Sequence, residues 1–123
     1  GCPKKYSPNE KILKWAKSKK ANITVTVDPE KAVENVDCVM TDKWVSMNDK
    51  VNKKEKKKIL KKYQVNTKLM NLAKSDAIFM HCLPVGRGEE VTDEIIDGKK
   101  SVVWRQALNR VHAQKSIIKW CMN

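Results

Sequence analysis

Apolar residues recur at helical spacing in several stretches, each opened by a recognisable start signal. Ser7-Pro8-Asn9-Glu10 reads as a capping box with Pro at the first helical position, ahead of Ile12, Leu13 and Ala16 on one face. Asp28-Pro29-Glu30 repeats the device before Ala32, Val33 and Val36. Asn66 is placed to cap a segment carrying Leu69, Met70 and Ala73. Thr92 is placed to cap a short helix with Asp93 and Glu94 in its first turn and Gly98 as its stop. A last helix is predicted from about Gln106 to Cys121, with Leu108, Val111, Ile118 and Met122 at helical spacing. Between these lie strand patterns. Ile23, Val25 and Val27 alternate with Thr24 and Thr26, as on a half-exposed edge strand. Asp37 to Met40, Ala77 to Met80 and Val102 to Trp104 read as strands covered on both faces. Alternating strands and helices predict parallel β-α units in a three-layer α/β sandwich, with no repeat and no linker.

Length and composition narrow this picture. At 123 residues, with 41% hydrophobic, the chain suits one domain with one modest core. No apolar run exceeds about five residues, too short for a spanning helix. No secretory signal pattern stands at Gly1-Cys2-Pro3-Lys4-Lys5, and the missing Met leads us to expect a processed chain or a fragment. The net charge is +12, from 26 Lys+Arg against 14 Asp+Glu. That balance raises nucleic acid or an acidic membrane surface as partners. Yet only Arg87, Arg105 and Arg110 are Arg, and aromatics are 6% of the chain, whereas nucleic-acid readers place Arg and stacking rings beside their charge. The densest Lys run, Lys53 to Lys62 around Ile59 and Leu60, reads as the solvated face of a helix. We therefore expect neither nucleic acid nor membrane as partner. Cys2, Cys38, Cys82 and Cys121 contain no Cys-x-x-Cys pair, which argues against a zinc site, and the absence of a secretory signal argues against a disulfide framework and for the cytoplasm.

Ligands of parallel α/β sheets bind beyond the carboxyl ends of the strands, and two segments leave predicted buried strands at that edge. In Thr41 to Asn48, Asp42 can pair with an ammonium group, while Ser46 and nearby N–H groups can hold a carboxylate, a grip suited to an amino acid head group. The plainer alternative is that Asp42 and Ser46 cap the Lys-rich helix that follows. In His81 to Glu90, a Cys beside a His suggests a thiolate nucleophile, but adjacent strand residues point to opposite faces and make a poor base–nucleophile pair. Cys82 can still face a substrate, and the carbonyls of Cys82 and Leu83 can accept amine or amide protons. Pro84 can shape the turn, through a cis bond or otherwise. His81 and His112 are equally well read as hydrogen-bonded structural histidines.

Phe79-Met80-His81-Cys82-Leu83-Pro84, with Arg87-Gly88-Glu89-Glu90-Val91-Thr92-Asp93-Glu94, closely resembles the C-terminal half of ornithine carbamoyltransferases. The resemblance continues through Ser101 to Trp104 and Asn109 to Lys115, and upstream through Pro3 to Pro8, Asp42 to Met47 and Tyr63 to Asn66. It covers essentially the whole chain without a gap. The His-Cys-Leu-Pro motif is specific, since aspartate carbamoyltransferases carry a His-Pro-x-Pro type sequence there.

The resemblance implies a Rossmann-like parallel sheet and carbamoyl transfer from carbamoyl phosphate to the δ-amine of L-ornithine, giving citrulline and phosphate. It implies no cofactor and no metal, and a homotrimer for the full-length parent. By resemblance, Asp42, Ser46 and Met47 contact the α-amino and α-carboxylate groups of ornithine. Cys82 is the active-site cysteine near the δ-amine, and Cys82 and Leu83 also adjoin carbamoyl phosphate. Arg110 matches the arginine that binds the carbamoyl oxygen. Three positions depart from the pattern: Asn48 replaces a Gly, Leu108 replaces the Glu before the Asn-Arg pair, and Cys2 replaces a Thr. The family's Ser-x-Arg-Thr, His-Pro-x-Gln and Asp-Gly-Asn-Asn motifs do not occur here. Residues 1–123 are therefore expected to be most of the C-terminal ornithine-binding domain, without the N-terminal carbamoyl-phosphate-binding domain and without the domain's own first two strands. In the order 3-2-1-4-5 those strands would separate the Ile23–Val27 strand from the Asp37–Met40 strand. The alternatives are a carbamoyltransferase for another amine such as putrescine and, from a different class, a non-catalytic basic binding module.

Overall fold

The computed structural model describes residues 1–45 and 52–122. Among these, β1 (Cys38–Thr41) and β2 (Ile78–His81) pair in parallel, with Val39 opposite Phe79 and Thr41 opposite His81. Six helices surround them: α1 (Glu10–Ser18), α2 (Pro29–Val33), α3 (Lys53–Leu60), α4 (Thr67–Met70), α5 (Asp93–Ile96) and α6 (Val103–Cys121). The α/β expectation with a parallel, incomplete sheet holds.

Helix starts follow the side chains that satisfy the first free N–H groups. Asp28 accepts from Glu30 N at 3.0 Å, with Pro29 opening α2, and Asn66 accepts from Leu69 N at 3.0 Å to open α4. The expected Ser7 cap is displaced to Asn9, whose side chain accepts from Lys11 N at 2.9 Å. That local bond holds Asn9 extended and starts α1 at Glu10, two residues after the expected Pro8. At α5 the helix starts after Thr92 as expected, but its hydroxyl caps nothing and lies buried without a partner. Instead the Thr92 N–H donates to Val65 O at 3.0 Å, one of the two bonds of the Val65–Val91 bridge. Gly98 ends α5, where a Cβ would stand 2.4 Å from Glu94 O.

Two strand expectations fail. Residues 23–27 form no strand: Cys2 N reaches Thr26 O at 3.0 Å, Tyr63 Oη reaches Val27 O at 2.8 Å, and no ladder forms among the described residues. Alternation alone cannot make a strand that has no neighbour. Val102 to Trp104 is also not a strand. Ser101 makes a single bridge to Phe79, and α6 begins at Val103, three residues before the expected start. Phe79 N donates to Lys100 O (2.8 Å) and Phe79 O accepts from Val102 N (3.0 Å), so the pairing ends there and Gln106 N turns back to Val102 O at 2.8 Å. Nor is β1 covered on both faces: Val39 is buried, whereas Met40 is 56% exposed.

The core unites Val33 of α2, Val39 of β1, Val65, Leu69 and Met70 of α4, Phe79 of β2, Val91, Ile96 of α5 and Val103 of α6. It is backed by Leu83 and Val85 from the loop after β2. That loop is thus tied to the core at the carboxyl edge of the sheet.

Candidate functional site

Parallel register brings the site together. Because Thr41 pairs with His81, the next residues on each strand, Asp42 and Cys82, leave the sheet side by side, at a strand separation of about 4.8 Å. The Cys82 thiol donates to Asp42 Oδ1 at 3.0 Å, and Lys43 N donates to the same oxygen at 2.6 Å. Two donors favour the anion, so the Asp42 carboxyl is held below the usual carboxylate range, chiefly by the Cys82 thiol. The converse holds at Cys82: the hydrogen bond to Asp42, then burial, then the Asp42 charge push the thiol up, opposed by a backbone hydrogen bond and then by the charge of Arg110. This site holds a carboxylate and a protonated thiol, not a thiolate nucleophile.

His81 and Cys82 do point to opposite sides. His81 is buried at 1% exposure, while Cys82 is exposed. The His81 ring shapes the loop: its Nδ1 accepts from Leu83 N at 2.9 Å, which assigns the ring proton to Nε2. Nε2 faces Glu90 Oε1 at 3.4 Å, with both side chains fully buried. Glu90 Oε1 accepts from Gly86 N and so holds the loop, while His81 Nε2 has no hydrogen-bond partner among the described residues. Leu83 takes a left-handed conformation (φ 54°), and the Leu83–Pro84 peptide is cis. The structural reading of His81 is thereby supported, whereas His112 lies exposed on α6.

Further bonds fix the loop. Arg87 forks onto Asp97 (2.6 and 2.9 Å) and reaches Asp93 (2.8 Å), tying the loop to α5 and lowering the Asp97 carboxyl's pKa. Gln64 Nε2 donates to the carbonyls of Gly88 and Glu89, both at 2.7 Å, and Lys57 pairs with Glu89. A Cβ on Gly86 would lie 2.7 Å from Glu90 Oε2 and 3.0 Å from Lys43 Nζ, so the two loops meet where a side chain has no room. The carbonyls of Cys82 and Leu83 accept no hydrogen bond from the described residues and stay available to a ligand.

Of the residues singled out from sequence, Asp42, Cys82 and Leu83 are therefore adjacent. Arg110 stands exposed on α6, close enough for its charge to be felt at Cys82. Ser46 and Met47, with Asn48, lie outside the described residues. The capping alternative for Asp42 fails, since α3 is capped by Asn52, which accepts from Lys54 N (3.1 Å) and Glu55 N (3.3 Å). Sequence reasoning missed Glu90 and Gln106. Nothing marks a Glu as buried when it stands in a Glu-Glu pair. Gln106 did have a signal, its spacing of four from Arg110 on one helix face.

In the full-length protein, Cys82 should be alkylated by iodoacetamide more slowly at pH 7.5 than an unstructured cysteine peptide, with the rate still climbing above pH 9. Asp42→Asn should move that profile to lower pH. Peptide-resolved mass spectrometry is the check, and a Cys82 rate equal to the peptide's would contradict the thiol–carboxylate bond.

These features define a Rossmann-like α/β domain with a candidate ligand site at the carboxyl ends of its parallel strands. The chain belongs to the aspartate/ornithine carbamoyltransferase family, whose Asp/Orn binding domain matches residues 1–121. It is 57% identical over 120 residues to the ornithine carbamoyltransferase of Rhodopseudomonas palustris (strain ATCC BAA-98 / CGA009), covering 98% of this chain and 38% of that protein. Among solved structures, the ornithine carbamoyltransferase of Pyrococcus furiosus superposes with a TM-score of 0.84 at 47% identity, covering 94% of this chain and 38% of that one. The anabolic ornithine carbamoyltransferase of Campylobacter jejuni gives 0.87 at 34% identity, over 98% of this chain and 41% of that one. The chain thus spans less than half the length of these relatives. No helix among the described residues is long and apolar enough to cross a membrane.

Proposed function

We propose that this chain is most of the ornithine-binding domain of an ornithine carbamoyltransferase. The observation that carries the reading is the Asp42–Cys82 pair at the strand ends, 3.0 Å apart, with the carbonyls of Cys82 and Leu83, which accept no hydrogen bond from the described residues, beside it. Asp42 receives the α-ammonium group of ornithine, and Ser46 and Met47 its α-carboxylate end. The δ-amine, neutral when it reacts, attacks the carbonyl carbon of carbamoyl phosphate. A C–N bond forms, the C–O bond to phosphate breaks, phosphate leaves with the electron pair, and the proton the amine gives up ends on the departing phosphate. Sulfur lone pairs and backbone carbonyls at Cys82 and Leu83 orient the amine through its N–H groups. Arg110 stabilises the charge that develops on the carbamoyl oxygen. Holding both substrates in contact removes much of the entropic barrier. The rest of the carbamoyl phosphate site belongs to a further domain of the full-length enzyme, which by the same reading is a cytoplasmic homotrimer.

Assaying the full-length enzyme with ornithine and with putrescine tests this reading, since putrescine has neither the α-amine nor the carboxylate that the site is proposed to hold. Preference for putrescine would refute it. In the same enzyme, Cys82→Ala should lower kcat/KM for ornithine about 10- to 100-fold, the range for one transition-state hydrogen-bonding group, with an unchanged melt. Unchanged kinetics would reduce Cys82 to packing.

A further inference from the structure

Helix α6 is attached to the sheet at two alternate residues of β2. The first attachment is backbone: Val102 N donates to Phe79 O at 3.0 Å, just before the helix. The second is a side chain, Gln106 Oε1, which accepts from His81 N at 3.0 Å. His81 is the last residue of β2 and directly precedes Cys82. Val103 is the buried residue of α6, and beyond Gln106 no α6 side chain hydrogen-bonds to another element among the described residues. Among the described residues, these two ties set the direction in which α6 leaves the sheet.

We propose that Gln106 is a positioning residue that aims Arg110 at the substrate held over Cys82; this rests on the reading of Arg110 given under Proposed function. Gln106 and Arg110 are four residues apart on one helix face, about 6 Å along the axis. With the Gln106 tie cut, α6 is left to pivot near Val103. A tilt of about 10° there carries Arg110 some 2 Å sideways, seven residues from the pivot at roughly 1.5 Å each. Misplacement by about 1 Å at a reacting centre can cost on the order of 10²-fold in rate. The requirement at position 106 is an acceptor of the right reach, because the His81 N–H has only a hydrogen to give. Glu keeps that oxygen, Asn withdraws it by one methylene, and Leu removes it.

The test is steady-state kinetics and thermal melting of the full-length enzyme with Gln106→Leu, Gln106→Asn and Gln106→Glu. Gln106→Leu should raise KM for carbamoyl phosphate about 10-fold and lower kcat about 10- to 100-fold, while KM for ornithine stays within about twofold. Gln106→Glu should recover most of both losses. If Gln106→Leu does not fold, Gln106→Asn carries the same expectation. Equal losses for both substrates, unchanged carbamoyl phosphate kinetics, or losses that Gln106→Glu does not relieve would overturn the role. A wild-type enzyme that makes no citrulline from ornithine would instead strike down the reading of Arg110, and this role with it.

Discussion

Expressed alone, the 123 residues are expected to show no cooperative thermal melt, little amide-exchange protection and no citrulline formation. The described surface amounts to 9532 Å², whereas a folded chain of 14.1 kDa exposes roughly 6,700 Å². The excess of about 2,800 Å², a little over half of it apolar, is surface that a folded domain of this size keeps from water. Domains are stable by only about 5–15 kcal/mol. The exposed groups are large: Trp15 on α1, Ile23, Val25 and Val27 in the unpaired segment, Met40 on β1, and Trp104, Ile118 and Trp120 on α6. A two-stranded sheet is below the size that stands by itself. Calorimetry with hydrogen exchange and a citrulline assay decide the matter. A sharp melt with slow exchange would sink the folding expectation, and citrulline would sink the other.

The same missing burial explains which elements were legible in the sequence. Helices α2 and α4 are fixed by local bonds from Asp28 and Asn66, so their starts could be read from residue types alone. β1 and β2 were legible because their apolar runs meet each other. The Ile23–Val27 segment has a good strand pattern and no partner, and a pattern does not reveal that. Val102 to Trp104 shows the reverse: a β-branched run becomes helix because Phe79 offers it a single bridge. At the site, Asp42 and Cys82 could be placed at strand ends, but their contact depends on a register between residues about forty apart. The resemblance, not the spacing, joined them. The burial of His81 against Glu90 depends on tertiary packing and had no sequence signature.

Asp42→Asn in the full-length enzyme should raise KM for ornithine about 10²-fold while the melt is retained. The substitution keeps size and one acceptor oxygen but removes the charge proposed to meet the α-ammonium group, and hydrogen bonds to a charged partner contribute about 1.5–3 kcal/mol. Because two donors hold the carboxyl below its usual range, wild-type Asp42 is ionised at neutral pH, so the full charge is lost in the variant. 5-Aminovalerate, which has the carboxylate and the terminal amine but no α-amine, makes the effect specific. Wild type should favour ornithine over 5-aminovalerate, and the variant should lose that preference by about the same 10²-fold. A preference left intact would show that Asp42 does not meet the α-amine. Asp42 is exposed, so its substitution should leave the core untouched.

The pairing of Cys38 with Ile78 sets a schedule for the growing chain. The edge of β1 that takes β2, about forty residues downstream, must stay open while that stretch is synthesised, some 2–8 seconds at roughly 5–20 residues per second. Helices α3 and α4 lie in between and can form from local bonds during the delay. That edge of β1 cannot close so early: Val39 has no Phe79 to meet until the second strand emerges. For those seconds the segment is a nascent hydrophobic edge, the state in which a ribosome-bound chaperone has most to protect.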